Sequence, residues 1–531
     1  MIEVIINALE SRKYLPYCLE FLAKNPLVGK ISVLTCEADT MLEQGRIRYV
    51  IIKNRENLAE TLNEIIKKSA AEYICLMRED VLLIDGALEK LQTVLADEKT
   101  GLVMPTCNAA LSDKFINKSV ERGEVADVIA QGERVNNVKD AENVPILQAD
   151  DYCALFKRQL FDEGIAFNEK MQGFSMLAQD FFLQILQKKY LCKLEKNCFV
   201  FTAKLKNYDF GKYDMYAFEK KWGESYNELI GFNQRILKAI EKSGAKKILH
   251  IGCLLGSIFF ELAERDGAMK FYGISQNAVY MNIAANVAEK VYDDFAKFDL
   301  LLSEGEFDYI ILESIPESCP DVKDLLKALR RSLKNSGEMI AVIPNAQFAG
   351  YIKKLVLDEL PKSNLKEYDT WAERYFTKKQ FSCLASEAGF SIMDIYGVAG
   401  QEEVDFIKSL QNVEHNETAD IFFRLCRLIY VLYPERREIA FSLRKLEYDL
   451  DCEKSASFLA GDIKNGALSF RQLLFYLERY TVHKERCLYN LLAEWNKNAE
   501  YDLISRFGDA FLAYDALPND LLVKTLERIV R

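Results

Sequence analysis

Apolar and polar positions along the chain change period three times. From residue 1 to about 205, short β-type runs at Glu3–Ile6, Lys30–Leu34, Ile47–Ile52 and Glu72–Met77 are separated by stretches with apolar residues at helical spacing, Tyr14–Lys24 and Leu58–Ala70. This order predicts parallel strands joined by crossover helices. After a polar, aromatic stretch near Asn207 to Gly231, a second alternation opens with Lys247–Ile251 and Lys270–Ile274. It continues through Phe307–Leu312 and Glu338–Ile343. Past Gly400 the β-type runs stop, and Ala419–Tyr433, Phe470–Thr481 and Leu488–Trp495 read as amphipathic helices without a fixed repeat period.

The pattern predicts an α/β chain of several parts: an α/β domain over 1–205, a helical connector over 206–232, a second α/β domain over 233–400 and an all-α domain over 401–531. Length agrees, because 531 residues exceed one domain, and 50% hydrophobic with 28% charged residues is a globular balance. A net charge of −11 argues against holding nucleic acid by its phosphates. Thirteen cysteines without a C-x-x-C pair fit reduced thiols in a cytoplasmic protein. The start of the chain lacks a charged segment followed by a long apolar run, so neither a signal peptide nor an integral membrane segment is expected. Three histidines, His250, His415 and His483, leave little material for imidazole metal sites or Ser/His triads, so chemistry falls to carboxylates.

The strand at Glu72–Met77 ends in Arg78-Glu79-Asp80, and acids at the carboxyl edge of a parallel strand face the crevice where open α/β sheets bind ligands. Alone, such a pair is more often a solvated loop. The order of the surrounding segments sharpens it. Ile6-Asn7-Ala8 followed by Tyr14-Leu-Pro-Tyr-Cys-Leu19, Asn57-Leu-Ala-Glu-Thr-Leu-Asn63, Ala71 to Asp80 and Gly86 to Leu91 come first, then Gln148 to Arg158 and Gln179-Asp180 with Lys189-Tyr190. This succession resembles the family 2 glycosyltransferases of GT-A (nucleotide-diphospho-sugar transferase) fold.

The resemblance implies inverting transfer from a nucleotide-sugar donor, UDP-linked by default. It implies donor contacts from Asn7, Glu37, Asp39, Arg78, Glu79 and Asp80, with Asp80 as ligand of a divalent Mn or Mg ion. It places Asp150 and Asp151 on the acceptor side and makes Asp180 the general base that takes the acceptor's proton. The sequence departs from the family in three places: Arg78 stands for the first acid of D-x-D, Gln179 for the Glu before the base, and Thr35 or Cys36 for the Asp that ends the second strand. Arg78 could itself contact a phosphate.

In the second alternation, Gly252-Cys-Leu-Leu-Gly256 joins a strand to a helix. Phe307-Asp-Tyr-Ile-Ile-Leu-Glu313, Leu333 to Gly337 with Ile340 to Asn345, and Phe376-Thr377 with Glu387-Ala-Gly-Phe390 follow. This set resembles class I S-adenosylmethionine methyltransferases, and implies cofactor contacts from Gly252, Gly256 and Ser275. Here His250 replaces the acid of the glycine loop, Leu254 its middle glycine, Ser275 the ribose-binding acid and Ser318 a histidine. These changes point to a degenerate domain and leave S-adenosylmethionine binding open. His250 itself is expected in the core.

The expected function is glycosyl transfer to a protein, glycan or lipid-linked acceptor. Chains that fuse these two domains resemble bacterial surface-polysaccharide or flagellin glycosylation proteins, so the acceptor could be a soluble protein such as flagellin or a surface glycan. Two alternatives stay open: a methylating or bifunctional enzyme, and a non-catalytic scaffold of a glycosylation assembly.

Overall fold

The computed structural model describes residues 1–36, 43–52, 57–110, 112–203, 211–240, 246–293, 305–313, 315, 321–344, 376–398, 438–445, 463–464, 470, 473–474, 477, 484–514 and 517–530. It divides into two compact units, Met1–Ala245 with Cys253–Asp293, and Lys246–Gly252 with Asp294–Arg531.

The first unit is built on strands β1 (Ile2–Asn7), β2 (Val28–Thr35), β3 (Glu43–Gln44), β4 (Ile47–Ile51), β5 (Tyr73–Arg78), β6 (Val81–Leu82), β7 (Thr100–Cys107), β8 (Asn143–Pro145), β9 (Cys153–Lys157) and β10 (Leu191–Thr202). They form one sheet in the order β3-β4-β2-β1-β5-β9-β7-β10-β6, with β8 on β10. Strands β4, β2, β1 and β5 run parallel, and β9 enters antiparallel between β5 and β7. The four expected strands and both expected helices, now Leu15–Lys24 and Leu58–Lys68, are present. All six side chains of β1 and all six of β5 are buried, as strands covered on both faces require. Helix Val125–Asn136 lies so close to β10 that a Cβ on Gly132 would come within 2.3 Å of the Phe199 ring.

The connector is not a spacer. Its helices Lys212–Trp222 and Tyr226–Ile230 bury Asp214, Phe218, Trp222 and Tyr226 in the first unit. Asp214 accepts hydrogen bonds from the backbone N–H of Gln172 (2.8 Å) and Gly173 (2.9 Å), which fixes the start of helix Phe174–Gln187. Strands β11 (Lys247–Ile251), β12 (Lys270–Ile274) and β13 (Lys290–Tyr292) come next in the chain, and β12 and β13 pair in parallel within the first unit.

In the second unit β11, β14 (Phe307–Leu312) and β15 (Leu333–Pro344) are parallel neighbours. Strand β17 (Glu438–Lys445) is antiparallel to both β15 and β16 (Phe390–Val398) and lies between them. This corrects the expectation of a purely helical chain over 401–531, because a strand from that range completes the sheet. Helix Lys378–Glu387 begins with a capping box, Thr377 Oγ1 accepting from Gln380 N (3.2 Å) and Gln380 Oε1 from Thr377 N (2.9 Å). Helices Lys484–Lys497, Tyr501–Leu512 and Asn519–Val530 form the helical C-terminal part, packed around Trp495, Phe507 and Phe511. The expected helix Ala419–Tyr433 and most of Phe470–Thr481 lie outside the described residues, as do Glu37 and Asp39. Among the described residues no helix is long and apolar enough to cross a membrane.

Candidate active site

Parallel pairing sets Asn7 opposite Arg78 at the carboxyl ends of β1 and β5. Beyond Arg78 the backbone is fixed from several sides. Glu79 N donates to Asn7 O (3.2 Å), Arg78 N to Tyr152 O (3.0 Å) and Ala203 N to Asp80 O (2.9 Å). Because β9 runs antiparallel to β5, Asp150 and Asp151, which precede it, arrive beside Arg78.

The side chains close around one cation. Arg78 donates through Nε to Asp80 Oδ1 (2.9 Å), through Nη2 to Asp80 Oδ2 (3.1 Å) and through Nη1 to Asp151 Oδ1 (2.9 Å). Ser175 Oγ donates to the other oxygen of Asp151, and Asp150 Oδ1 accepts from Asp151 N (2.7 Å). Arg78 is 5% exposed and Asp80 1%, and Asn7, Glu79, Asp150 and Asp151 are buried as well. Asn7 Oδ1 also accepts from Leu9 N (3.3 Å), fixing the turn after β1. Burial by itself favours loss of the guanidinium proton. The hydrogen bonds it donates to Asp80 and Asp151 and their two charges outweigh it and hold Arg78 above its ordinary value.

Asp180 lies elsewhere in the interior. It is 0% exposed, and three side chains occupy its oxygens. Trp222 Nε1 donates to Oδ1 (2.9 Å), Gln184 Nε2 to Oδ2 (2.9 Å), and Lys221 Nζ reaches Oδ1 at 2.7 Å and Oδ2 at 2.8 Å. A general base needs an oxygen that a substrate hydroxyl can reach. Here the Asp180 carboxylate ties helix Phe174–Gln187 to helix Lys212–Trp222. Lys221 and Trp222 were missed by the sequence reading, and a tryptophan preceded by lysines forty residues downstream carries no local signal that it caps a carboxylate. Gln179, in place of Glu, accepts from Ala149 N (2.9 Å) through Oε1 and donates to Leu147 O (3.3 Å) through Nε2, a pairing that a carboxylate cannot make.

These residues do not suit a divalent cation at Asp80. Both its oxygens are hydrogen-bonded to Arg78, and no group of three His, Cys, Asp or Glu stands at metal-ligand spacing among the described residues.

The second edge is spare. His250 on β11 is buried as expected and bonds through Nε2 to Glu313 Oε2 (2.7 Å), and Glu313 N donates to Ile251 O (3.1 Å). The following loop carries three positive φ angles in five residues: Gly252 at 84°, Leu254 at 46° and Gly256 at 78°. Only glycine adopts that region without strain, so Leu254 sits in a conformation meant for the residue it replaces. Cys253 N donates to Ile274 O (3.1 Å), and Ser275 N to Tyr292 O (3.0 Å). Where a dinucleotide-type site presents a carboxylate to ribose hydroxyls, Ser275 offers a single hydroxyl. The donor set does not fit S-adenosylmethionine in the manner of the resemblance.

Residues 33–165 match the model of glycosyl transferase family 2, and residues 222–395 match that of a methyltransferase domain. The chain therefore carries a family 2 glycosyltransferase domain and a methyltransferase domain. Among solved structures it is similar to a SAM dependent methyltransferase from Archaeoglobus fulgidus (16% identity, 43% of this chain and 99% of that chain, TM-score 0.32). It is also similar to GalNAc-T7 with UDP, GalNAc and Mn2+ (11% identity, 40% and 44%, TM-score 0.30) and to the [4+2]-cyclase SpnF (19% identity, 38% and 76%, TM-score 0.26). No curated protein matches the chain.

Proposed function

We propose that this chain, with its family 2 glycosyltransferase domain and its methyltransferase domain, moves a sugar with inversion from a nucleotide-sugar to a hydroxyl of a protein such as flagellin or of a surface glycan, in the cytoplasm. One observation carries the reading. In the domain that matches the transferase family, the carboxyl ends of β1 and β5 gather Asn7, Arg78, Glu79, Asp80, Asp150 and Asp151 where open α/β sheets take their ligands. In the reaction the acceptor oxygen bonds to the anomeric carbon, the bond to the diphosphate breaks, and the hydroxyl proton passes to a carboxylate. Asp180 acts as a positioning residue, holding Lys221 and Trp222 against the helix that supplies Ser175.

The methyltransferase domain serves as a non-methylating unit in this reading, since Leu254, Ser275 and the His250–Glu313 pair replace the groups that would hold the cofactor. A bifunctional enzyme is the second reading, and the match over residues 222–395 favours it. The test is hydrolysis of UDP-, GDP- and dTDP-sugars by wild type and by Asp80→Ala, with thermal shift by S-adenosylmethionine in parallel. Turnover of one donor, lost in Asp80→Ala, is the expected result. No nucleotide release from any donor would sink the proposal, and stabilisation by S-adenosylmethionine would restore the bifunctional reading.

A further inference from the structure

Resting on the transferase reading, we infer that the donor site works without a divalent metal, with the Arg78 guanidinium as its resident cation. A D-x-D site draws a metal because two carboxylates two residues apart present unshared negative charge. Here the first of those positions is itself a cation. Its fork takes both oxygens of Asp80 and reaches Asp151, brought alongside by the antiparallel β9. Both oxygens of Asp80 and one of Asp151 are thus already engaged, by a cation that does not titrate in the working range.

A metal ion arriving at Asp80 would have to displace charge-assisted hydrogen bonds in a buried setting, and the displaced guanidinium would remain as a like charge beside it. A planar guanidinium is also suited to the job the metal would do, because it pairs with phosphate oxygens as the diphosphate leaves and its charge grows. No bond to the protein forms or breaks, and the guanidinium keeps its proton throughout.

The experiment is a Mn2+ titration of the full chain followed by electron paramagnetic resonance, alone and with UDP, together with UDP binding by calorimetry with and without EDTA. Wild type is expected to bind no stoichiometric Mn2+, and its UDP affinity to change by less than about twofold with EDTA. Arg78→Asp, which restores the acid, is expected to bind one Mn2+ and to be thermally stabilised by it. Stoichiometric Mn2+ on wild type that Asp80→Asn removes, or UDP binding that EDTA abolishes, overturns the inference. A folded Arg78→Asp that takes up no Mn2+ overturns it as well. If Arg78→Asp does not fold, the wild-type titrations decide alone. Absence of binding by UDP, GDP and dTDP alike, each tried in the same calorimetric arm, overturns the transferase reading itself, and this inference with it, and is distinguished from the other failures by that nucleotide arm.

Discussion

The two sheet edges meet the same alteration with opposite outcomes. At each, an acid expected at the end of a parallel strand is replaced by a nitrogen base, Arg78 in the first unit and His250 in the second, and each base pairs with a carboxylate. Around Arg78 the neighbours remain polar and dense: Asp80, Asp151, Asp150 and Ser175 are linked in one hydrogen-bonded cluster. Further along the chain, and in the first unit, Leu254 takes a left-handed conformation and Ser275 follows β12. Reversing a charge is compatible with a site whose ligand is a diphosphate, because the ligand is an anion. The change that bears on ribose hydroxyls is Ser275, which offers one hydroxyl where a carboxylate offers two acceptors.

The largest effect that would break this contrast is at Arg78. Replacing it with methionine leaves Asp80 and Asp151 buried without their partner, and unfolding stability should fall by about 3–5 kcal/mol in urea titration. The same treatment of the other edge, His250→Gln, retains a donor toward Glu313 and should cost clearly less. Equal losses would mean that the first cluster is no more demanding than an ordinary polar pair.

Asp180→Asn comes second. A positioning role predicts a lower Tm with kcat reduced less than about tenfold and an unchanged pH profile, whereas loss of a general base costs about 100- to 10,000-fold. The kinetic comparison decides whether the chemistry of the first edge extends to helix Phe174–Gln187.

Gln179→Glu removes the donation to Leu147 O and sets a carboxylate against a carbonyl, so a loss of about 1–3 kcal/mol is expected from equilibrium unfolding. Leu254→Gly is smaller and of opposite sign. Relief of a left-handed leucine outweighs the added freedom of the unfolded chain and should stabilise by up to about 1 kcal/mol. A destabilised variant would show that Leu254 packs to a purpose.

The smallest effect is a pH dependence away from both edges. Burial would raise Asp308, but its hydrogen bonds from Lys334 Nζ and Lys247 N (2.8 Å each) prevail and lower it below the usual 3.8. A depressed carboxylate stabilises the fold above its unfolded value and loses that contribution as pH falls through the lower folded one. Tm against pH below 3.8 should therefore flatten in Asp308→Asn.

Thiol labelling gives a further contrast within the first unit: Cys36 is exposed, whereas burial pushes Cys107 up to about 12 and Cys18 higher still. Among the described cysteines of the first unit, Cys36 should react first with a thiol reagent under native conditions.

Local patterning wrote much of the fold. Strands β11, β12 and β14 have the boundaries that their apolar runs predict, and β1, β2, β4 and β5 differ by two residues at most, because a buried parallel strand is encoded by its own side chains. The resemblance to the transferase family also singled out Arg78, Asp80, Asp150 and Asp151, and the fold sets Asp80 and Asp151 on Arg78. Strand β17 escaped, since it lies in the sheet only by pairing with β15 and β16, and both partners are remote in sequence. What only the tertiary structure decided is who pairs with whom. Asp151 is 73 residues from Arg78, and Trp222 is 42 from Asp180. Strand register and helix docking set those approaches, and charge energies depend on separation and burial, neither of which a one-dimensional pattern contains.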